Sequence, residues 1–419
     1  MNEQLLQFIW RHRYFNQSSL QTISGSNLQI FYPGLLNANQ GPDFLDAKIH
    51  IDHVLLAGSV ELHLRSSDWK KHGHGSDVRY SNVILHVVWE YDGHEIPFVQ
   101  VLELKSRVAG SMLSVYNQLM QSGSCLPCEK MLSNVNEMVW TSWKERMLAE
   151  RMEHRNQLIS ERLERNKGDV EEVFWQTMAC SWGMPLNGDL FEAISLSLPV
   201  SLLSRYRHRI HQIEALLFGQ AGLLNEDFED PYPAMLQKEY LYLKRKHNLR
   251  QADGSPLFLR MRPPEFPTVR LAQLAMLIHQ RGFFFSVLKG IESVNDCIAI
   301  FQVTANDFWH RHYTFKRESV YKPKQAGKET VQRVLVNAVI PILYQQALIE
   351  KNDVIRQRVI SWLFELPSEQ NKWIRIWEQA GVECRHAFDT QALLELRKNY
   401  CEQKRCLECA IGNTVINIY

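Results

Sequence analysis

The pattern of apolar and polar positions changes character near residue 110. From about residue 28 to 108 the apolar residues come in short runs, "NLQIFY", "DAKIHIDHVLLAG", "SVELHLR", "NVILHVVWEY" and "IPFVQVLELK", bounded by Gly, Pro, Asn and Asp. Runs of that length and punctuation predict β-strands. "VILHVVW" (83–89) is apolar on both faces, as expected of a central strand covered on both sides. "GSVELHLRSSDW" (58–69) alternates instead: Val60, Leu62 and Leu64 face one way, Glu61, His63 and Arg65 the other, which predicts a half-buried strand with a wet polar face. The first 20 residues read as helix, and from Ser111 onward the spacing is helical. "VWTSWKERMLAERMEHRNQLISERLERNK" (139–167) predicts a long exposed helix with supporting ion pairs. Further helices are expected at 170–180, 189–197, 200–219, 232–247, 268–293, 328–350, 354–365, 370–380 and 389–400, several separated by proline-rich loops such as "MRPPEFPT" and "FEDPYP". The expected fold is an α/β N-terminal domain over 1–120, a mixed sheet flanked by helices, followed by a mainly α-helical domain over 121–419.

Composition adds little to this picture, but charge does. A chain of 419 residues exceeds one ordinary core, and 45% hydrophobic with 22% charged residues is usual for a soluble protein. "MNEQLLQFIWRHRYF" has an early acid and no long apolar run, so no secretory signal is expected; "VLVNAVIPILYQQALI" is broken by Asn337 and Pro341, so no membrane span is expected. The expected location is the cytoplasm. The net charge of +1 conceals a gradient: residues 1–120 carry 9 Lys and Arg against 11 Asp and Glu, whereas 236–333 carry 17 against 8. In "YLYLKRKHNLR" (240–250) and "FWHRHYTFKRESVYKPK" (308–324) aromatics interleave with cations, a composition that suits stacked bases and paired phosphates. Lys244, Arg245, Lys246, Arg311, Lys316 and Arg317 are the candidate contacts to DNA or RNA, with a solvated basic face as the plain alternative.

The chemistry concentrates around the alternating strand. Gly41-Pro42 marks a turn, which places Asp43 at a strand entrance; Glu61 follows eighteen residues later and His63 two further on, facing the same way. Two carboxylates from adjacent strands can hold Mg²⁺ or Mn²⁺, and a proton acceptor beside them can orient or deprotonate a water. "GPDF…VELH" resembles the signature of the PD-(D/E)XK nuclease superfamily, in which a Pro-Asp pair precedes an acid-x-Lys strand. The resemblance implies a restriction-endonuclease-like core and metal-dependent phosphodiester cleavage, with Asp43 and Glu61 as metal ligands and His63 where the family has lysine. Histidine departs from that pattern, since it lacks the permanent positive charge. A literal acid-x-Lys, Glu103-Leu104-Lys105, lies sixty residues beyond Asp43 and fits the family's order poorly. On "GPDF", "SSDWKKHGH" and "KRCLECAIG" the whole chain also resembles a bacterial family described only as a domain of unknown function.

Seven of the sixteen histidines, at 50, 53, 63, 72, 74, 86 and 94, fall within 45 residues. "HGHGSD" (72–77) resembles the His-x-His-x-Asp run of zinc hydrolases such as the metallo-β-lactamase group, with Asp77 one place late. His72 and His74 are expected to line a cleft above Glu61, and His86 to be a core histidine. Two further readings stay open: a non-catalytic nucleic-acid-binding or assembly protein on the same scaffold, and a zinc-dependent hydrolase.

The eight cysteines do not make a disulfide scaffold in so long a chain. Cys401, Cys406 and Cys409 form C-x4-C-x2-C, three of the four ligands of a plant-type iron–sulfur spacing and equally suited to zinc. The fourth ligand is expected from Cys384, or from Cys125 or Cys128 in "SCLPCE". The plain alternative is reduced cysteines in a helix and turn.

Overall fold

The computed structural model describes residues 1–94, 96–283 and 285–418. The chain forms two compact units, Met1–Trp143 with Leu396–Tyr419, and Lys144–Glu395. The C-terminal cysteines therefore belong with the sheet unit.

The first unit opens with α1 (Glu3–His12), capped by the Asn2 side chain and burying Leu5, Leu6, Phe8, Ile9 and Trp10 along one stripe. Strands β1 (Leu28–Tyr32), β2 (Leu35–Leu36), β3 (Phe44–Ile51), β4 (Val54–Arg65), β5 (Val83–Glu90) and β6 (Gln100–Glu103) form one mixed sheet. The order is β1-β3-β4-β5-β6, with β2 also on β3; β1 to β4 pair antiparallel, and β5 and β6 run parallel to β4. "VILHVVW" lies inside the sheet, as its two apolar faces predict. The single expected run 46–58 is two strands, because Asp52 takes a left-handed φ of 51° and turns the chain. Gly58 sits where β4 meets the start of β5: a Cβ there would fall 2.6 Å from the Asn82 carbonyl. Between β4 and β5 lie α2 (Asp68–Lys71) and two single-turn helices, and α3 (Gly110–Gln121) follows β6.

One expectation needs correcting. The face of β4 that carries Glu61 and His63 is not wet: the two side chains are 5% and 2% exposed. Helix α2 packs on β4, Trp69 sits edge-on to His63, and the loop that follows brings His72 and His74 over the strand. Alternation reports which residues share a face and cannot show what later segments cover it.

The second unit is helical. Most expected helices are present, from the long Glu137–Arg165, which begins just before the unit boundary, to Ala387–Leu396. The expected 200–219 is broken into Val200–Tyr206 and Ile210–Gln220, and 268–293 breaks at Gly282. The expected 328–350 persists through Pro341 because a wider turn at Leu335–Val339 precedes it. The carbonyl of Asn337, which proline leaves without its helical partner, accepts from Arg155. Helices at Val294–Phe301 and Ala410–Ile418 were not expected, and "FWHRHYTFKRE" holds a short hairpin, His312–Thr314 with Arg317–Glu318. Among the described residues no helix is long and apolar enough to cross a membrane.

Candidate metal centre

Asp43 and Glu61 are tied together by the sheet. Phe44 pairs with Val60, so Asp43, just before β3, lies across from Glu61. The Asp43 amide donates to Glu61 Oε2 at 3.0 Å, and the Leu62 amide donates to Asp43 Oδ2 at 2.9 Å. Gln7 of α1 donates to the other Asp43 oxygen at 2.8 Å. A bulge between Phe44 and Ala47, with Asp46 at φ 59°, bends β3 beside this junction. Both Asp43 oxygens are thus engaged, whereas Glu61 Oε1 faces imidazoles: His74 Nε2 at 3.3 Å and His63 Nε2 at 3.6 Å.

The histidines converge on that oxygen. His63, His72 and His74 each offer a ring nitrogen, and the three nitrogens lie within 4.8 Å of one another. His63 Nε2 is 3.1 Å from His72 Nδ1, and His63 Nδ1 is 2.8 Å from His86 Nε2. His86 sits opposite Glu61 in the parallel β4–β5 register, so it reaches His63 from the next strand. Tyr80 stacks on His74 with ring centres 3.9 Å apart, and Trp69 meets His63, His74 and His86. The buried His74 Nε2 and His86 Nδ1 have no hydrogen-bond partner among the described residues.

Electrostatics sharpen the picture. Burial pushes the Glu61 carboxyl up to about 8, with the charge of Asp43 adding to it. Burial likewise pushes Asp43 up to about 6. Burial, and then the neighbouring imidazoles, push His63 down to about 3; burial and His63 do the same to His86. Near neutral pH His63 and His86 are therefore neutral, and they lie beside a carboxyl that resists ionising. Imidazole with carboxylate is a donor set for divalent transition ions.

A groove of about 880 Å³ opens beside the histidines, lined by Trp69, Lys70, His74, Tyr80, His94 and Phe98 among others. Phe98 is fully exposed there and holds a left-handed φ of 68°.

The structure thus brings Asp43, Glu61 and His63 together. His72 and His74, expected to line a cleft above Glu61, join His63, and His86, buried as expected of a core histidine, also meets His63; strand register and loop path were needed to join them. Lys244, Arg245 and Lys246 occupy the last turn of the helix Pro231–Lys246, where cations also suit the helix dipole. Lys246 lies over the Tyr206 and Tyr242 rings, Arg311 pairs with Glu318, and Lys316 pairs with Glu226. Arg317 is exposed on the hairpin. Glu103 accepts from the Tyr91 amide and Lys105 pairs with Glu90, so the literal acid-x-Lys is occupied on the sheet's far side of β5. Cys384 lies in the helical unit.

The chain belongs to the family described as a protein of unknown function, DUF2851, whose model matches residues 3–372. No curated protein and no solved structure matches it.

Proposed function

We propose that this member of the family is a metal-dependent hydrolase of nucleic-acid phosphodiesters, with His63, His72, His74 and Glu61 holding one divalent ion. The observation that carries the reading is the meeting of three imidazole nitrogens within 4.8 Å of one another beside Glu61. Imidazoles move the preferred ion away from Mg²⁺ toward Mn²⁺ or Zn²⁺. The bound ion would polarise a phosphoryl oxygen and bring a water toward ionisation near neutral pH. In this reading His63 is a ligand through Nε2, which faces His72 and Glu61, while its Nδ1 is held by His86; burial, which lowers its pKa to about 3, leaves it neutral and not a titrating base. His86 fixes the ring orientation of His63 from behind, and Asp43 fixes Glu61 through its amide.

Three features support phosphodiesters as the substrate. A Pro-Asp pair at a strand entrance precedes the acid-bearing strand of a mixed sheet flanked by helices, in keeping with a restriction-endonuclease-like core. The adjoining groove offers Lys70 for a phosphate and the exposed ring of Phe98 for a base. The helical unit carries the basic surface. A second reading, zinc-dependent hydrolysis of a small molecule, is favoured by the His72-x-His74 pair itself; a non-catalytic nucleic-acid-binding role remains if the site holds metal without turning over. A panel of single- and double-stranded DNA and RNA, each with Mn²⁺, Zn²⁺ and Mg²⁺, separates these. Cleavage by the native chain that Glu61→Gln removes supports the nuclease; binding of nucleic acid without cleavage, or cleavage that survives Glu61→Gln, refutes it.

A further inference from the structure

Five of the eight cysteines, Cys125, Cys128, Cys401, Cys406 and Cys409, belong to the sheet unit, although nearly three hundred residues separate the two groups in sequence. The two-turn helix Glu129–Asn134 begins directly after Cys128, and the helix Ala410–Ile418 begins directly after Cys409; the two pack together. Cys128, Cys401, Cys406 and Cys409 are all buried, and burial, then the nearness of Cys409, Cys128, Cys406 and Cys125, holds the Cys401 thiol well above its usual range. The turn from Cys406 to Cys409 is wound tightly: a Cβ at Gly412 would fall 2.3 Å from the Cys406 carbonyl oxygen, so only glycine lets the helix start there.

Cys409 lies at the start of the helix Ala410–Ile418, where the amides of Ile411 and Gly412 favour negative charge on its sulfur. A thiol is a weak acceptor, so amides turned toward one sulfur suit a sulfur that carries negative charge. Burial alone works against that charge, holding the Cys128 and Cys406 thiols up at about 12 and Cys409 at about 11. Small buried hydrophobes would need neither the donors nor the convergence. A bound cation reconciles them.

We propose that Cys128, Cys401, Cys406 and Cys409 form a four-thiolate metal centre that pins the C-terminal segment to the sheet unit. It stands independently of the histidine site and of the hydrolase reading. Cys128 is the buried candidate for the fourth ligand, since the helix that follows it packs on the helix that follows Cys409, whereas Cys384 lies in the other unit. One tetrahedral zinc at 2.3 Å from each sulfur would draw the sulfurs to about 3.8 Å from one another. Among the described residues the group whose donors all lie within 4.8 Å is the histidine group instead. A wider cysteine set suits an iron–sulfur cluster, whose thiolates divide between irons, and C-x4-C-x2-C with one remote cysteine is a spacing that such clusters use.

The test is X-ray absorption at the iron and zinc edges of the full-length chain prepared without oxygen, with iron, zinc and inorganic sulfide assayed. Iron with an all-sulfur shell and matching sulfide, lost in Cys128→Ser and kept in Cys384→Ser, is the expected result. Zinc with an all-sulfur shell of four would support the centre and change its metal. A native chain with no sulfur-ligated metal overturns the proposal, whether or not Cys128→Ser folds. So does sulfur-ligated metal that survives Cys128→Ser.

Discussion

Two buried glutamates, one in each unit, show what a satisfied carboxyl looks like and what an unsatisfied one does. Glu214 is wholly buried in the helical unit and accepts from the Tyr232 hydroxyl, from Asn306 Nδ2 at 2.7 Å and from Trp309 Nε1 at 3.1 Å. Its donors are neutral and supplied by the fold, so nothing further is required, even with burial raising its pKa to about 7. Glu61 is nearly as buried, yet it takes one amide and turns its other oxygen to the imidazoles of His63 and His74. Burial of similar degree therefore means full hydrogen bonding in one place and, in the proposed reading, readiness for a ligand in the other. The difference lies in the partners.

The largest expected effect breaks the comparison at the ligands. Glu61→Gln, or His72→Ala with His74→Ala, should reduce both metal affinity and metal-dependent cleavage by more than ~100-fold, beyond the usual cost of losing an outer-shell partner. Glu214→Ala should leave metal binding unchanged. It strands three buried donors at roughly 1–3 kcal/mol each, and should lower the thermal midpoint of the chain, read by calorimetry, while Glu61→Gln does not.

His86→Ala keeps every proposed ligand and removes the group that orients His63. A loss of about 10–100-fold in metal affinity is expected, with the fold intact by circular dichroism. Unchanged affinity would make His86 a core residue only.

The smallest effect is on pH. The Glu61 pKa is raised on folding, from 4.5 to about 8, so the metal-free native state binds a proton that the unfolded chain does not. The stability this contributes is full below about 4.5 and is lost as pH rises through about 8. The lowered pKa of His63 acts the other way, adding stability as pH rises from about 3 to 6.5. Above 6.5 the carboxyl dominates. Metal-free chain should thus lose stability between pH 6.5 and 8, and metal affinity should climb by up to about tenfold per unit over the same span, since binding displaces one proton. Denaturant melts at both pH values, with and without Mn²⁺, measure this; a flat profile would mean that Glu61 is not the group displaced.

How far the sequence reveals this arrangement depends on the kind of signal. The sheet and most helices follow from local periodicity: "VILHVVW" reads as an interior strand because both its faces are apolar. Asp43 and Glu61 could be paired from a turn and a strand in order. That His63 is dry could not be read, because the cover comes from Trp69, His72 and His74, residues whose path over the strand depends on two single-turn helices with no periodic signature. The role of His86 was hidden for a related reason: an apolar strand with one histidine looks like core until the β4–β5 register sets it beside His63. That the helix after Cys128 packs on the helix after Cys409 is long-range packing, which no spacing rule supplies.

The most direct test of the histidine–carboxylate centre is a Mn²⁺ titration of metal-free full-length chain at pH 7.5, followed by electron paramagnetic resonance of the free ion. Mn²⁺ prefers imidazole and carboxylate over thiolate, so the cysteines do not compete for it. One tight equivalent in the native chain, absent in His72→Ala/His74→Ala and retained in Cys128→Ser, is the predicted result. Binding that is absent from the native chain, or equal in native and histidine-substituted chains, would contradict the account.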